Sequence, residues 1–229
     1  MRIHAVIPAR GGSKGIKHKN LCTVGGVSLL ARCISAARGA EGVNRVLVST
    51  DSPDIKSAAL AAGAEAVDRP ALLGSDTASS ESVLLHVLDG LEESGDLPDI
   101  LLFLQCTSPF TRSADIDRAV RLVTAGEADV AFAAVPFHGF VWKSDAKGLA
   151  LGVNHDPAVR PRRQDRMAEW VETGAFYALR VAGFRAARHR FFGMARIVEV
   201  PPEQALDIDE PADLVIANAF AATHFPAET

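Results

Sequence analysis

Two stretches, one near each end of the chain, hold the residue types that phosphate chemistry uses. The first is PARGGSKGIKHKN, Pro8 to Asn20, which follows the apolar run Ile3-His-Ala-Val-Ile7. Gly11, Gly12 and Gly15 let the backbone approach a ligand where a Cβ would obstruct it. Successive backbone N–H groups in such a loop can form an anion nest, and Arg10, Lys14 and Lys19 add full positive charge at short intervals. The string contains neither GxxxxGK[ST] nor GxGxxG. A solvated basic turn is the competing reading, but the coincidence of strand, glycines and cations favours a polyphosphate.

The second stretch is Asp207-Ile208-Asp209. On extended backbone, residues i and i+2 project to the same side, so both carboxylates share a face while Ile208 turns to the core. Carboxylates that close repel unless a cation sits between them. Mg²⁺ takes oxygen ligands, commonly one or two carboxylates plus substrate phosphates. The same spacing equally allows a pair that only precedes and caps a helix.

Two further clusters read less sharply. Arg69 and the string Asp76 to Ser80 lie in a polar loop before a helix and by themselves suit a capped turn. Arg160-Pro-Arg-Arg-Gln-Asp-Arg166 packs four guanidinium groups together. That is usually a solvated face, although such forks also grip carboxylates or phosphonates.

The elements that must position these groups follow from periodicity. Helical spacing of apolar residues predicts helices over Ser28–Ala40, Asp54–Ala62, Ser80–Ser94 and Ser113–Ala125, with a final helix over Glu210–Ala222 that starts beside Pro211. Strand-like runs fall at Ile3–Ile7, Arg45–Thr50, Glu65–Val67, Asp99–Gln105, Asp129–Val135, Gly174–Arg180 and Arg196–Val200. Val181–Ala187 also reads as helical. Alternation of strands and helices predicts a Rossmann-like α/β fold, a mostly parallel sheet with helices on both faces. Ligands of such sheets collect at the carboxyl ends of strands, where Arg10, Asp51, Gln105, Thr107, Ser108, Asp207 and Asp209 all fall. Residues from about Pro136 to Asp165 lack periodicity and read as a functional excursion.

The 229 residues carry a net charge of −4 with a pI near 6, which leaves nucleic-acid binding without an electrostatic footprint. No run reads as a transmembrane helix or a signal peptide. Cys22, Cys33 and Cys106 lack metal spacing, and a reducing cytoplasm is expected. The histidines show no ligand spacing either.

The loop PARGGSKGIKHKN resembles the opening signature of the CMP-sialic acid synthetases (acylneuraminate cytidylyltransferases), with His18 at a position where that family varies. LQCTSP resembles the family's LQPTSP, with Cys106 in place of proline, and ALDIDEPAD resembles its DIDT–D motif. The resemblance spans almost the whole chain and is looser on the acceptor side. It implies a nucleotide-diphospho-sugar transferase type of fold, a single cytidylyltransferase domain over residues 1–229 and a dimerisation excursion over about residues 136–190. CMP would pass from CTP to an anionic acceptor, a sialic-acid-like 2-keto sugar acid, with release of pyrophosphate. The cofactor would be Mg²⁺ on Asp207 and Asp209, and the assembly a homodimer without nucleic-acid or membrane partners. Arg10, Lys14, Lys19, Gln105 and Asp209 would carry catalysis. Ala9, Gly11, Gly12, Ser13, Asn20, Arg69, Ala78 and Ser80 would hold the nucleotide. Gln105, Thr107, Ser108, Lys143, Arg163, Gln164, Tyr177, Phe191 and Phe192 would meet the acceptor. Sialate-using members commonly read RPNGAIY where this chain has Val171-Glu-Thr-Gly-Ala-Phe-Tyr177, and Thr111 replaces an arginine. These departures keep transfer to a small phosphonate such as phosphonoformate open, and because fold alone does not give function, a nucleotide-binding module without catalysis is a further alternative.

Overall fold

The computed structural model describes residues 1–12, 15–75 and 78–224. Strands β1 (Ile3–Pro8) and β6 (Ile100–Leu104) are apolar at nearly every position and lie side by side at the centre of the sheet. Both faces of such a strand must be covered. β4 (Arg45–Thr50) and β5 (Glu65–Asp68) extend the sheet in parallel on one side. On the other side β10 (Glu169–Arg180) runs antiparallel between β6 and β7 (Val130–Phe137), and β11 (Ala195–Glu199) closes the edge parallel to β7. The seven-stranded order is therefore β11-β7-β10-β6-β1-β4-β5, mostly parallel as the alternation predicts.

One face is covered by α1 (Leu29–Gly39), α2 (Pro53–Ala61), α4 (Ser113–Thr124) and α6 (Pro211–His224). The other is covered by α3 (Ser80–Glu93) and α5 (Val181–Ala187). Serines cap two of these helices: Ser28 Oγ accepts from Ala31 N–H at 3.2 Å, and Ser52 Oγ from Ile55 N–H at 3.4 Å. Leu84, Leu88, Phe103 and Phe184 are fully buried on the α3 face. Each such side chain contributes roughly 1.5–3 kcal/mol, so the wall behind the strand ends is firmly held.

Three features depart from the sequence expectation. The strand expected to begin at Gly174 begins at Glu169, because the chain pairs Glu169 with Phe137 before kinking at Gly174, whose φ is +75°. The mixed polarity of Glu169 to Thr173 hides this pairing from a periodicity argument. Two short hairpins also form, β2 (Thr23–Val24) with β3 (Val27–Ser28), and β8 (Trp142–Ser144) with β9 (Ala150–Gly152). Both are too short to leave an alternating pattern. The excursion is thus a small hairpin followed by loop, and not a wholly irregular segment.

Candidate active site

A crevice of about 370 Å³ opens at the carboxyl ends of β1 and β6, beside the N-terminus of α3. Arg10, Gly15, Lys19 and Asn20 line it from the first loop, Thr107 from the loop after β6, and Asp209 from the far end of the chain. The two stretches at opposite ends of the sequence therefore meet. Lys19 Nζ lies 2.8 Å from Asp209 Oδ1. A surface ion pair is worth only about 0–1 kcal/mol, and backbone packing holds the two elements together instead. A Cβ on Gly15 would lie 2.3 Å from the Asp209 carbonyl oxygen, so only glycine allows this approach.

The rest of the loop is tied down on its protein side. Gly11 N–H donates to Asp51 Oδ1 at 2.8 Å, and a Cβ there would meet Ser52 Cβ at 2.9 Å. Asn20 is buried, and its amide donates to the Arg10 carbonyl at 3.1 Å. Ala9 is buried with its N–H on the Ser49 carbonyl. Among the described residues, a Cβ on Gly12 would meet no atom within 4 Å, so their packing does not require this glycine. Ser13 and Lys14 lie outside the described residues.

The acidic doublet has the alternation expected of extended backbone: Ile208 is buried and its two neighbours are exposed. Ile208 N–H donates to the Thr107 carbonyl at 2.9 Å, which fixes the doublet against the loop after β6. Asp207 faces solvent, yet enough protein surrounds its carboxyl that lost hydration raises its pKa, with Asp209 and Asp213 adding repulsion and the Thr107 hydroxyl and Lys19 opposing it. The capping alternative is resolved by Asp213. Its Oδ2 accepts from the N–H groups of Asp209 and Glu210 at 2.9 and 2.8 Å, a reach-back that closes the helix entrance. Among the described residues no three acidic, histidine or cysteine side chains cluster as a complete metal cage. The chemistry of the pair nevertheless fits a hard divalent cation that keeps waters and substrate phosphates as its other ligands. A cation would also relieve the strain on the Asp207 carboxylate.

Arg69, Ala78 and Ser80 also line the crevice. Arg69 is buried, its Nη2 donating to the Ser49 carbonyl at 2.6 Å. Burial lowers its pKa, with the Asp51 carboxylate opposing that effect and Arg10 adding to it. Ser79 caps α3 by accepting from Ser82 N–H at 3.1 Å, so the capped-turn reading also holds. Asp76 and Thr77 lie outside the described residues.

Next to the crevice is a wall that the sequence showed only in part. Gln105 N–H donates to the Ala175 carbonyl at 3.1 Å, and a Cβ on Gly174 would come within 3.0 Å of Gln105 Oε1. Ser108 is buried, its hydroxyl without a partner among the described residues. Tyr177 is buried and stacks on Phe103 at 5.3 Å, with Phe132 and Phe191 around it. Its hydroxyl donates to Glu172. Burial and that partner together push the phenol well above its usual pKa. Arg190 covers the rings of Tyr177 and Phe103 at 4.9 and 5.1 Å and bonds Glu81 Oε1 at 2.6 Å. Phe191 and Phe192 pack on this same core face. Sequence reasoning missed Glu81, Glu172 and Arg190. Lone charged residues scattered over three elements leave no motif, and only a buried aromatic nearby makes them a cluster.

Lys143, Arg163 and Gln164 do not line the crevice. Lys143 is exposed on β8. Arg163 and Gln164 border a groove of about 310 Å³ with His138 and Met167. The arginine run is no single charged face. Arg166 is drawn inward, bonding Glu169 at 2.5 Å and the His138 carbonyl at 2.8 Å, and both Arg160 and Arg166 cover the Phe140 ring. Arg162 pairs with Asp165 in solvent.

Residues 4–183 match the family described as Cytidylyltransferase. The chain belongs to the cytidylyltransferase family. Among curated relatives, N-acylneuraminate cytidylyltransferase A of Danio rerio is 35% identical over 219 residues, covering 94% of this chain and 50% of that protein. N-acylneuraminate cytidylyltransferase of Escherichia coli is 30% identical over 222 residues, covering 94% and 51%. This cytidylyltransferase chain therefore spans about half the length of the curated relatives it matches. A solved CMP:2-keto-3-deoxy-manno-octonic acid synthetase complexed with CTP superposes with a TM-score of 0.73 at 22% identity, covering 98% of this chain and 100% of that one. A 4-diphosphocytidyl-2C-methyl-D-erythritol synthase from Anaerococcus prevotii follows with a TM-score of 0.69 at 14% identity, covering 96% and 97%. At these identities the structures speak for the fold. No helix among the described residues is long and apolar enough to cross a membrane.

Proposed function

We propose that this chain transfers CMP from CTP to a sialic-acid-like 2-keto sugar acid and releases pyrophosphate. The observation that carries the reading is the contact of Lys19 with Asp209 inside a crevice that also holds Arg10 and Arg69. The crevice is cationic, as a triphosphate requires, and the small residues Ala78 and Ser80 line it beside the buried Arg69. The names of the curated relatives support both the nucleotide and the acceptor class.

In this reading the first loop binds the β- and γ-phosphates through its backbone N–H groups, and Arg10, Lys14 and Lys19 neutralise them. The same cations stabilise charge on the departing pyrophosphate. Arg69, Ala78 and Ser80 hold the cytosine. The acceptor oxygen attacks the α-phosphorus as the bond to the β-phosphate oxygen breaks. Such chemistry asks the protein chiefly for positioning and charge stabilisation. Asp207 and Asp209 would hold Mg²⁺, which when bound supplies charge neutralisation and lowers the pKa of a coordinated hydroxyl. Gln105, Thr107 and Ser108 border the place of transfer. Lys143, Arg163 and Gln164 serve the acceptor site of a second copy in a homodimer. That assignment accounts for their distance from the chain's own crevice and for the exposed apolar side chains around them.

The test is pyrophosphate release from CTP with Mg²⁺ and N-acetylneuraminate. Release that fails with ATP or UTP supports the proposal. Tight CTP binding without release for any acceptor would instead favour a non-catalytic module.

A further inference from the structure

The wall beside the crevice is charged in an unexpected sense. Arg190 and Glu81 pair with each other, their side chains 19% and 12% exposed, so this cation is already matched. Tyr177 spends its single proton on Glu172. What the wall offers to an incoming molecule is then the exposed Glu172 carboxylate with the lone pairs of its oxygens. A carboxylate accepts hydrogen bonds and cannot donate them. The wall is joined to the crevice at two points. Gln105, two residues before the crevice-lining Thr107, is hydrogen-bonded to the strand that carries Glu172, and Glu81 follows the crevice-lining Ser80.

We infer that Glu172 is a specificity-determining residue that requires the acceptor to turn a hydrogen-bond donor, hydroxyl or ammonium, toward this wall and excludes acceptors that would place an anionic group there. The inference rests on the proposed cytidyl transfer for its setting. It explains how a crevice rich in cations could still discriminate among anionic acceptors. A polyhydroxy sugar acid can keep its carboxylate elsewhere and present hydroxyls to Glu172. A small phosphonate has no donor face and must bring its charge against the carboxylate.

The experiment compares wild-type protein with Glu172→Ala and Glu172→Gln. Glu172 is exposed, but Glu172→Ala leaves the buried Tyr177 hydroxyl without its acceptor, so thermal melts of both variants check the fold, and Glu172→Gln keeps an acceptor for that hydroxyl. Pyrophosphate release is followed with CTP and Mg²⁺ against a 2-keto sugar acid or phosphonoformate, and binding of each acceptor to the CTP-loaded protein is followed by calorimetry. Loss of a hydrogen bond to a charged group predicts an increase of about tenfold or more in KM and Kd for the sugar acid in Glu172→Ala, with improved use of the phosphonate. Glu172→Gln keeps an acceptor oxygen. Retained affinity there supports a hydroxyl partner, and loss equal to that in Glu172→Ala supports an ammonium partner. Sugar-acid KM and Kd unchanged within twofold in Glu172→Ala, or a wild-type preference for the phosphonate, overturns the inference. Absence of pyrophosphate with every acceptor would count against the transfer reaction alone, because calorimetry still reads the acceptor preference. A sugar acid that fails to bind wild-type protein at all also overturns it.

Discussion

In the crevice, each loop is anchored on its protein side: Gly11 on Asp51, Asn20 on the Arg10 carbonyl, Gly15 against Asp209, Ile208 beneath the doublet. Across the excursion the pattern reverses. Trp142, Leu151 and Val153 face solvent, and Leu149 and Met167 are 61% and 89% exposed. Apolar side chains in such number rarely stay uncovered together. One region is completed within the chain, and the other looks outward for its completion. In the proposed reaction, nucleotide contacts would come from one copy and part of the acceptor site from a second.

The comparison breaks most readily at the doublet. If the doublet holds Mg²⁺ as proposed, Asp209→Ala or Asp207→Ala should lower kcat roughly a hundredfold or more, because ligand loss would remove the metal's charge from the transfer step. A steady-state assay across Mg²⁺ concentrations checks this, and activity within threefold of wild type would break the nucleotide half of the account. Gly15→Ala comes next. Its Cβ would strike backbone, so overpacking should cost about 1–3 kcal/mol, divided between folding and CTP affinity, as thermal melts and calorimetry will show.

Leu151→Asp sharpens the outward-facing half. It should leave CTP binding intact while shifting sedimentation toward monomer and raising the acceptor KM severalfold; a monomeric wild type would contradict the dimer directly. A smaller effect concerns acid stability. Burial alone would raise the Glu81 carboxyl, but hydrogen bonding and attraction to Arg190 hold it below its ordinary value. Its stabilisation is then present above the unfolded-state pKa and lost as pH falls through the lower native one. Glu81→Gln should flatten that part of the stability profile in chemical denaturation. The smallest change is expected at Arg162, whose solvent-exposed pair with Asp165 is worth about 0–1 kcal/mol, so Arg162→Ala should barely move the melting midpoint.

The legibility of the sequence follows the same division. Helices α1 to α4 could be read because apolar spacing marks each of them, and Ser52 marks the entrance to α2. The doublet's geometry could be read because backbone alternation alone fixes it. The capping role of Asp213 could not, since it depends on a side chain reaching back four residues. The early start of β10 was hidden because its first residues pair with β7 while still facing solvent. The wall of Glu81, Glu172 and Arg190 was invisible for a different reason. Its members meet only through tertiary packing around Tyr177, and each alone is an ordinary surface charge.

The most direct test of the shared crevice is a double-mutant cycle on CTP binding in the presence of Mg²⁺, measured by calorimetry for wild type, Lys19→Met, Asp209→Asn and the pair. Two elements that grip one metal-bound triphosphate predict that each single change weakens binding and that the double change costs clearly less than their sum. Additive losses, or CTP affinity untouched by either change, would contradict the account.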